Sequence, residues 1–371
     1  MKNRFVSLVL VLMLLLGCVP SLASAEGETV NLNIAVCVGT PNHMDEILAA
    51  ANEILKEKIN VTIELVPLAF DTSKYNLLLT TGNDVDLIYT ATWNNFQTNV
   101  VNGAYMPLRD LVSANCPELF EIIPQNLWDL CEINGDYYCI PSPADQFMNT
   151  GFTWREDLRK KYDLPEINSL ESIEAYLACI KENEPDMIPT ADRGGSLNDF
   201  NFYRFHLYNL GEGLVYSYDT GDVSIYSQTD AYREGALLAR KWVNNGWEES
   251  DVISNTIDPA EGMLSGKYAS TVSYATGETF NLVYLPALSS HPDWEIGFIN
   301  FGEIFDCASM THPMFTTFGL PRNCPHPAET LAFIKELATN QELYQLLDCG
   351  IEGVDYTVDA DGNYVSLDST D

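Results

Sequence analysis

The sequence predicts an α/β fold, and the order of its first five segments carries that prediction. A short apolar strand at residues 30–38 is followed by an amphipathic helix at 44–58 and a second strand at 61–66. A second helix at 71–81 and a strand at 86–89 then repeat the pattern. Two successive strand-helix-strand units imply right-handed crossovers and a parallel sheet covered by helices on both faces.

Each of these segments has its own local signal. The segment 86–89 is short and largely apolar, as strands buried in parallel sheets are. Gly82 and Asn83 end the second helix. The first helix carries its apolar residues on one face, namely Ile47, Leu48, Ala51, Ile54 and Leu55.

The rest of the chain continues to mix helices and strands. The segment 154–162 has acidic residues early and basic residues late, as the helix dipole favours. Ser169 is a candidate N-cap for the helix that follows it. The predicted helices are 154–162, 169–181, 230–246 and 327–338, a helix end leads into a strand at 262–272, and further strands are predicted at 295–300 and 315–321.

The N-terminus predicts export. Lys2 and Arg4 precede an apolar core at residues 5–16, and Ala23-Ser24-Ala25 is a small-residue cleavage site. The segment ending in Cys18 also resembles a bacterial lipobox, in which that cysteine is acylated and becomes the new N-terminus. Both cleavage positions remain open, and both predict an extracytoplasmic protein that is secreted or lipid-anchored at the cell surface.

Size and charge narrow the classes of function. The residues that follow Ala25 exceed the ~100–200 residues of a typical domain, which predicts two domains. No second apolar run reaches the ~18 residues of a membrane span. The formal charge of −34 opposes nucleic acid as a partner and favours solubility.

The cysteines are too scattered for a small disulfide scaffold. Eight of them follow Cys18, and several lie in apolar strand or helix patterns, which predicts mostly buried thiols. The histidines and cysteines form no zinc-binding pattern, and no cofactor is predicted. The segment 359–363 opens like a calcium loop but lacks the distal Glu, so a hairpin turn at Asp361-Gly362 is the favoured interpretation.

A polar and aromatic loop follows the strand at 86–89. The loop spans residues 90–95 and contains Thr90, Trp93 and Asn94. In open α/β sheets, ligands bind outside the carboxyl ends of the strands. A Trp face with neighbouring hydroxyl and amide groups suits a sugar ring or another small polar molecule, so Trp93 is the leading candidate contact.

Several motifs in order resemble one protein family. They are Tyr75 to Gly82 with Asp86-Leu-Ile-Tyr, Asn102-Gly-Ala-Tyr-Met-Pro-Leu with Leu111, Trp128 with Asn134-Gly-Asp-Tyr-Tyr-Cys-Ile-Pro, Trp154-Arg-Glu-Asp-Leu with Lys161-Tyr162, Met263-Leu-Ser-Gly-Lys-Tyr-Ala, His326-Pro-Ala-Glu-Thr-Leu-Ala-Phe-Ile and Gly350-Ile-Glu-Gly-Val-Asp-Tyr. The sequence resembles the extracellular solute-binding proteins, family 1, of ABC importers, in the Gram-positive lipoprotein subgroup that handles sugars and oligosaccharides.

The resemblance implies a periplasmic-binding-protein-like fold of type II, in which a multi-strand hinge joins two α/β lobes. Residues 26–141 and 296–340 would form lobe 1, and residues 142–295 would form lobe 2. The chain would cross between the lobes near 138–143, near 289–296 and a third time near 339–347. Members of the subgroup usually continue well beyond Gly350-Ile-Glu-Gly, so the resemblance implies a shortened C-terminal segment at 341–371.

By position in the resemblance, both lobes contribute ligand contacts. Aromatic rings supply contact area, and polar side chains fix the orientation of hydroxyl groups. The implied contacts are Thr40, Asn42, Thr90, Trp93 and Asn94 from lobe 1 and Asp145, Gln146, Tyr203, Tyr274 and Glu278 from lobe 2.

Packing is the competing interpretation for these side chains. It applies to Trp93 and equally to Tyr203 and Tyr274. His206 is more typical of a histidine satisfied within the fold. Four further tryptophans are assigned to packing, namely Trp128, Trp154, Trp242 and Trp247.

The resemblance implies capture of a small polar solute, a carbohydrate above all, by lobe closure and delivery to ABC transporter permease subunits. The protein would act as a monomer without catalysis. A subunit that senses its ligand without transport is one alternative, since the same clamp serves it. An exported glycoside hydrolase is another, although the sequence isolates no pair of carboxylates at barrel strand ends.

Overall fold

A computed structural model describes residues 28–37, 43–68, 72–81, 84–142, 150–192, 196–211, 213–249, 257–274, 283–308, 312–359, 362 and 364–367. The chain divides into two compact units, and it passes from one to the other three times. Unit 1 comprises the chain up to Ser142 together with Thr316–Ile351. Unit 2 comprises Pro143–Phe315 and the chain from Glu352 onward.

The described residues form short strands and helices in alternation. The strands are β1 (Val30–Val36), β2 (Val61–Pro67), β3 (Leu87–Thr90), β4 (Glu132–Ile133), β5 (Asp136–Tyr137), β6 (Thr150–Arg155), β7 (Ala191–Asp192), β8 (Leu207–Gly211), β9 (Leu214–Ser217), β10 (Val223–Ile225), β11 (Ser270–Tyr274), β12 (Ile296–Asn300), β13 (Thr317–Gly319), β14 (Tyr356–Val358) and β15 (Tyr364–Ser366). The helices are α1 (Met44–Ile59), α2 (Thr72–Thr81), α3 (Phe96–Val101), α4 (Arg109–Asn115), α5 (Leu119–Ile122), α6 (Gln125–Leu130), α7 (Glu156–Lys161), α8 (Leu170–Asn183), α9 (Ser196–Arg204), α10 (Asp230–Asn244), α11 (Pro259–Leu264), α12 (Leu285–Ser290), α13 (Phe301–Phe305), α14 (Pro327–Thr339) and α15 (Gln341–Cys349).

The sheet of unit 1 confirms the two predicted strand-helix-strand units. Its order is β13-β3-β1-β2. β1 is parallel to β2 with Val30 opposite Val61, and parallel to β3 with Ile34 opposite Leu87. β13 closes the far side of β3 in the antiparallel direction. Every residue of β3 is buried, as expected for a strand with a partner on each side.

The core of unit 1 lies between this sheet and its helices. Leu32, Ile63, Leu55 and Trp128 are among its fully buried members. Both α14 and α15 pack against α1, so the segment that follows β13 returns to cover the first strands. This arrangement makes unit 1 discontinuous in sequence.

A buried carboxylate connects three segments of unit 1. Asp86 is 1% exposed, and its Oδ2 accepts the backbone N–H of Asn33 at 2.9 Å. Its Oδ1 accepts the backbone N–H of His326 at 3.1 Å and lies 3.0 Å from the His326 Nδ1. Asp86 thus ties the start of β3 to β1 and to the N-cap of α14.

The main sheet of unit 2 has the order β12-β6-β11-β7. β6 is antiparallel to both β11 and β12, and all six of its residues are buried. The prediction that a helix begins at Trp154 is wrong, because residues up to Arg155 belong to this central strand. Gly297 lies opposite Trp154, where a Cβ would come within 2.3 Å of the indole ring, so this position requires glycine.

Two local predictions in unit 2 are confirmed. The Ser169 side chain caps α8 by accepting the N–H of Ser172 at 3.2 Å. β14 and β15 form an antiparallel hairpin around Gly362, which has a φ of 88°. The calcium-loop interpretation of this segment was therefore correctly set aside.

The unit boundaries differ from the predicted lobes at two of the three crossings. The first crossing lies between Ser142 and Pro143, within the predicted range of 138–143. The second lies between Phe315 and Thr316 and not at 289–296, because β12 pairs with β6 and so belongs to unit 2. The third lies after Ile351, because α15 still packs on α1 in unit 1.

The cysteines that follow Cys18 are buried or half-buried. The prediction of buried thiols is confirmed for Cys116, Cys131, Cys139 and Cys324, while Cys37, Cys179, Cys307 and Cys349 are half-buried. Among the described helices, none combines the length and the apolar character that a membrane span requires.

A histidine in unit 2 gives a pH-dependent prediction. His206 has a Nδ1 3.0 Å from the Asp219 carboxylate and a Nε2 3.2 Å from the Phe305 carbonyl oxygen. The hydrogen bond to Asp219 raises the pKa of His206 above its ordinary value of 6.5, and the Phe305 carbonyl adds to this effect.

Because the folded-state pKa is raised, the stabilisation is complete below pH 6.5 and is lost as the pH rises through the folded-state pKa. Since the pair is partly exposed, the effect should not exceed about 1 kcal/mol. The Tm of the wild type should therefore exceed that of His206→Asn most at pH 5.5–6, and the difference should shrink toward pH 8.5. A difference that grows with pH would contradict this assignment. Asn is the suitable replacement because His206 has a φ of 49°, which Asn tolerates.

Candidate functional site

The candidate site of unit 1 lies at the carboxyl end of β3. The strand ends at Thr90, and Ala91 leads into a 3-10 turn at Thr92–Asn94. The N–H of Asn94 closes this turn on the Ala91 carbonyl at 3.0 Å. Asn95 has a φ of 57° and starts α3, so the chain reverses sharply at the edge of the sheet.

Trp93 is the exposed aromatic residue of this turn. Its side chain is 48% exposed, whereas Asn94 is 9% exposed. The Trp93 ring lies 5.9 Å from the buried Tyr89 ring, with an angle of 51° between the ring planes. Tyr89 in turn meets Phe318 of β13 edge-on at 6.1 Å. The turn therefore presents one indole to solvent while Tyr89 supports it from the sheet.

A cluster of three hydroxyl groups lies beneath the turn. The Thr90 Oγ1 accepts from the Tyr75 hydroxyl at 3.2 Å and from the Tyr105 hydroxyl at 3.0 Å. The two tyrosine oxygens are 2.5 Å apart. Thr90 is fully buried, and its hydroxyl is engaged by both tyrosines, so the structure gives it a supporting role and does not support its predicted ligand contact.

Burial keeps these phenols protonated. It raises the pKa of Tyr75 and of Tyr105, and it raises the pKa of Tyr89 to about 12. The cluster is therefore uncharged at neutral pH. An uncharged hydrogen-bonded support suits a site for a neutral polar ligand better than a site for an ion.

The predicted contacts of unit 2 are placed differently. Tyr203 is 4% exposed and packs against Phe301 in the core, with ring centroids 6.4 Å apart. Packing, the competing interpretation, therefore describes Tyr203. The backbone of Tyr274 ends β11 opposite Thr150.

Other aromatic and histidine assignments are confirmed. His206 makes the two hydrogen bonds given above and is a satisfied structural histidine. The four tryptophans assigned to packing are 0–9% exposed, namely Trp128, Trp154, Trp242 and Trp247.

Five of the predicted contacts lie outside the described residues, and so does the predicted lipidation position. These residues are Thr40, Asn42, Asp145, Gln146, Glu278 and Cys18. Their roles stay predictions. Because β1 and β3 are parallel neighbours, the segment that contains Thr40 and Asn42 starts at the same edge of the sheet as the Trp93 turn.

Sequence reasoning missed the residues that hold the turn. Tyr105 lies in the Asn102-to-Leu108 motif but received no role, and its distance from Tyr75 along the chain concealed their contact. The available signal was a pair of aromatic hydroxyl groups in otherwise apolar surroundings, since buried tyrosines usually find a hydrogen-bond partner.

Metal binding has no support in the part of the chain that the structure describes. There, no three His, Cys, Asp or Glu side chains are grouped closely enough to hold an ion. The geometry at the β3 edge can offer stacking and hydrogen bonding, which serve recognition.

Comparison with known proteins gives one curated relative. No protein-family model matches the sequence. A carbohydrate ABC transporter substrate-binding protein of Streptococcus pneumoniae serotype 4 is 25% identical over 223 residues, which cover 58% of this chain. The aligned part spans 44% of that relative, less than half of its length.

Solved structures match over most of the chain. The N-glycan transport solute-binding protein NgtS of S. pneumoniae, in complex with Man1GlcNAc, has a TM-score of 0.67 at 19% identity, covering 91% of this chain and 74% of NgtS. The fold is that of ABC-importer solute-binding proteins. The substrate-binding protein FusA of S. pneumoniae, in complex with kestose, has a TM-score of 0.63 at 16% identity, covering 91% of this chain and 74% of FusA.

The solute-binding fold confirms the predicted class, an α/β protein of the type II periplasmic-binding-protein-like kind with two α/β lobes. It also confirms the resemblance to the solute-binding proteins of ABC importers. All three compared proteins are named as binding proteins and not as enzymes. Membership of the Gram-positive lipoprotein subgroup stays a prediction.

Proposed function

We propose that the protein is an extracytoplasmic solute-binding protein that captures a carbohydrate, above all an oligosaccharide, for an ABC importer. The observation that carries the proposal is the exposed Trp93 at the carboxyl end of β3, in a fold whose solved neighbours hold oligosaccharides. Parallel α/β sheets bind ligands at this edge. The neutral hydroxyl cluster beneath the turn fits an uncharged ligand.

The chemistry of Trp93 supports a sugar ring as its ligand. One face of a pyranose carries C–H groups that pack on an indole, and its rim carries hydroxyl groups that need hydrogen bonds. Trp93 has open surface, and the support from Tyr89 fixes its orientation before the ligand arrives. Little ordering cost then remains to be met by binding.

Capture is proposed to work by closure of the two lobes. A ligand that contacts both lobes stabilises the closed arrangement and shifts the population toward it. The closed form would deliver the solute to the permease subunits of the transporter. We include in the proposal that the protein acts as a monomer outside the cytoplasm, after cleavage behind Ala25 or after acylation of Cys18.

The test is a calorimetric titration of the mature protein with Man1GlcNAc and with kestose, after a thermal-shift screen of monosaccharides, oligosaccharides, amino acids and short peptides. A ligand that binds only the folded state raises the Tm. For any sugar that binds, Trp93→Ala should weaken binding by about tenfold or more, as loss of a central aromatic contact does. The Tm without ligand should change little, because Trp93 is exposed.

Tyr344 provides a matched control. It is 52% exposed on α15 in the same unit, away from the carboxyl end of β3. Tyr344→Ala should therefore leave sugar affinity unchanged. If a folded protein gave no shift with any solute, the proposed function would fail, and equal affinity of Trp93→Ala and the wild type would remove Trp93 from the site.

A further inference from the structure

Two cysteine side chains lie together in the interior of unit 1. Cys131 and Cys139 are each fully buried, and the structure holds both as thiols. Their thiol groups share a hydrogen bond. Two sulfur atoms in such contact need only a small rotation of their side chains to reach bonding distance.

The backbone brings the two residues within the range of a disulfide. Cys131 directly precedes β4, Cys139 follows β5 by one residue, and Glu132 pairs with Tyr137 in the antiparallel ladder. The positive φ values of Asn134-Gly135 fit a two-residue hairpin turn. Opposite Cα atoms in such a hairpin are about 4.5–5.5 Å apart, which puts the Cα atoms of the two cysteines about 6 Å apart. Disulfides span about 4.4–6.8 Å between Cα atoms.

We propose that Cys131 and Cys139 are joined by a disulfide in the exported protein. The proposal rests on the export that the N-terminal signal predicts, because disulfides persist outside the cytoplasm. The oxidant is itself a disulfide, carried by a dithiol oxidoreductase or a small thiol such as glutathione. One cysteine thiolate attacks it and releases a thiol, and the second cysteine then displaces the other thiol. The two cysteines lose two protons and two electrons, and the oxidant is reduced to two thiols.

The bond has to form before the hairpin is buried. The hydrogen bond with Cys131 and burial raise the pKa of Cys139 well above the usual range of a cysteine. The thiolate is the attacking species, so the folded and reduced protein is almost inert to oxidants. Oxidation during export, while the segment is still open, avoids this barrier.

The disulfide would fasten the end of unit 1 from which the chain leaves for unit 2. Ile140, next to Cys139, donates its N–H to the Phe318 carbonyl at 2.9 Å, and its own carbonyl accepts from the Thr317 hydroxyl. The bond would hold the hairpin against this contact. It would therefore reduce fraying of β13 where the chain re-enters unit 1.

The decisive experiment is thiol mapping. The mature chain is refolded with oxidised and reduced glutathione, denatured without reductant, treated with N-ethylmaleimide and digested for mass spectrometry. We expect one cross-linked peptide pair that joins Cys131 to Cys139, with the maleimide on the remaining cysteines. Maleimide on both Cys131 and Cys139 in the refolded protein would overturn the proposal.

Thermal melts supply the second readout, with Cys116→Ala as the matched control, because Cys116 is 2% exposed in the same unit. A membrane-permeable reductant should lower the Tm of the wild type and of Cys116→Ala by about 5 °C. It should leave the Tm of the double variant Cys131→Ala/Cys139→Ala unchanged. A Tm of the oxidised wild type that does not respond to reduction would contradict the stabilising role, and thiol mapping decides the bond even where the double variant does not fold.

Discussion

Replacing Trp128 by Ala is expected to lower the free energy of unfolding by about 3–5 kcal/mol. Trp128 is fully buried, with ring centroids 5.0 Å from Phe120 and 4.9 Å from Tyr137. Removal of the indole deletes apolar contacts and leaves a cavity between rigid aromatic neighbours. The cavity cannot close without moving α5 or β5. Urea denaturation followed by circular dichroism measures the loss.

Trp128→Phe separates the loss of volume from the loss of the indole N–H. The Nε1 is buried and finds no hydrogen-bond acceptor among the described residues, so the Phe variant gives up no hydrogen bond there. It should cost about 1–2 kcal/mol, less than half the effect of Ala. An Ala variant within about 1 kcal/mol of the wild type would show that this aromatic cluster does not carry the stability of unit 1.

Asp86→Ala is expected to destabilise the protein by about 3 kcal/mol. The substitution leaves the backbone N–H groups of Asn33 and His326 without the oxygen atoms that accept them. Hydrogen bonds to a charged group contribute about 1.5–3 kcal/mol each, and water replaces them poorly at a position that is 1% exposed. Chemical denaturation of the purified variant measures the effect.

Asp86→Asn is the isosteric comparison. Asn keeps one acceptor oxygen for either Asn33 or His326, but its NH₂ group faces the other N–H donor. Its cost should therefore lie between those of the wild type and Asp86→Ala. A fully neutral Asp86→Ala would mean that Asn33 and His326 find other partners, and the proposed connection of β1, β3 and α14 would have to be abandoned.

The sequence predicted the first half of unit 1 well because hydrophobic periodicity is a local signal. α1 alternates its faces, and β3 is a short apolar run bounded by polar residues, so both could be recognised without knowledge of the partners. The antiparallel partner β13 could not be placed in the same way. Nothing within residues 315–321 indicates which strand they join.

The misassigned segments show where local signals compete. The charge order that follows Trp154 belongs to α7, which begins at Glu156, but β6 is buried throughout and shows no alternation to mark its end. β12 was placed in lobe 1 because the polar turn before it resembles a linker. Only its pairing with β6, a long-range contact, assigns it to unit 2.

The candidate site was predictable in part. Trp93 was identified from its position after an apolar strand, and its exposure agrees with that choice. Thr90 was expected at the ligand because a loop Thr usually faces solvent, yet it remains within β3 and binds two tyrosines. Those tyrosines lie far from Thr90 in sequence, so composition and spacing could not connect them.

The position of β13 has a consequence for the order in which the chain acquires its structure. β1, β2 and β3 are synthesised before residue 100, but the strand that pairs with the open side of β3 emerges only after all of Pro143–Phe315. During that interval the N–H and C=O groups on that side of β3 lack their native partner. An unpaired apolar strand edge readily pairs with another chain. Delay of that pairing until synthesis reaches Gly319 makes the nascent polypeptide dependent on chaperones that shield such edges.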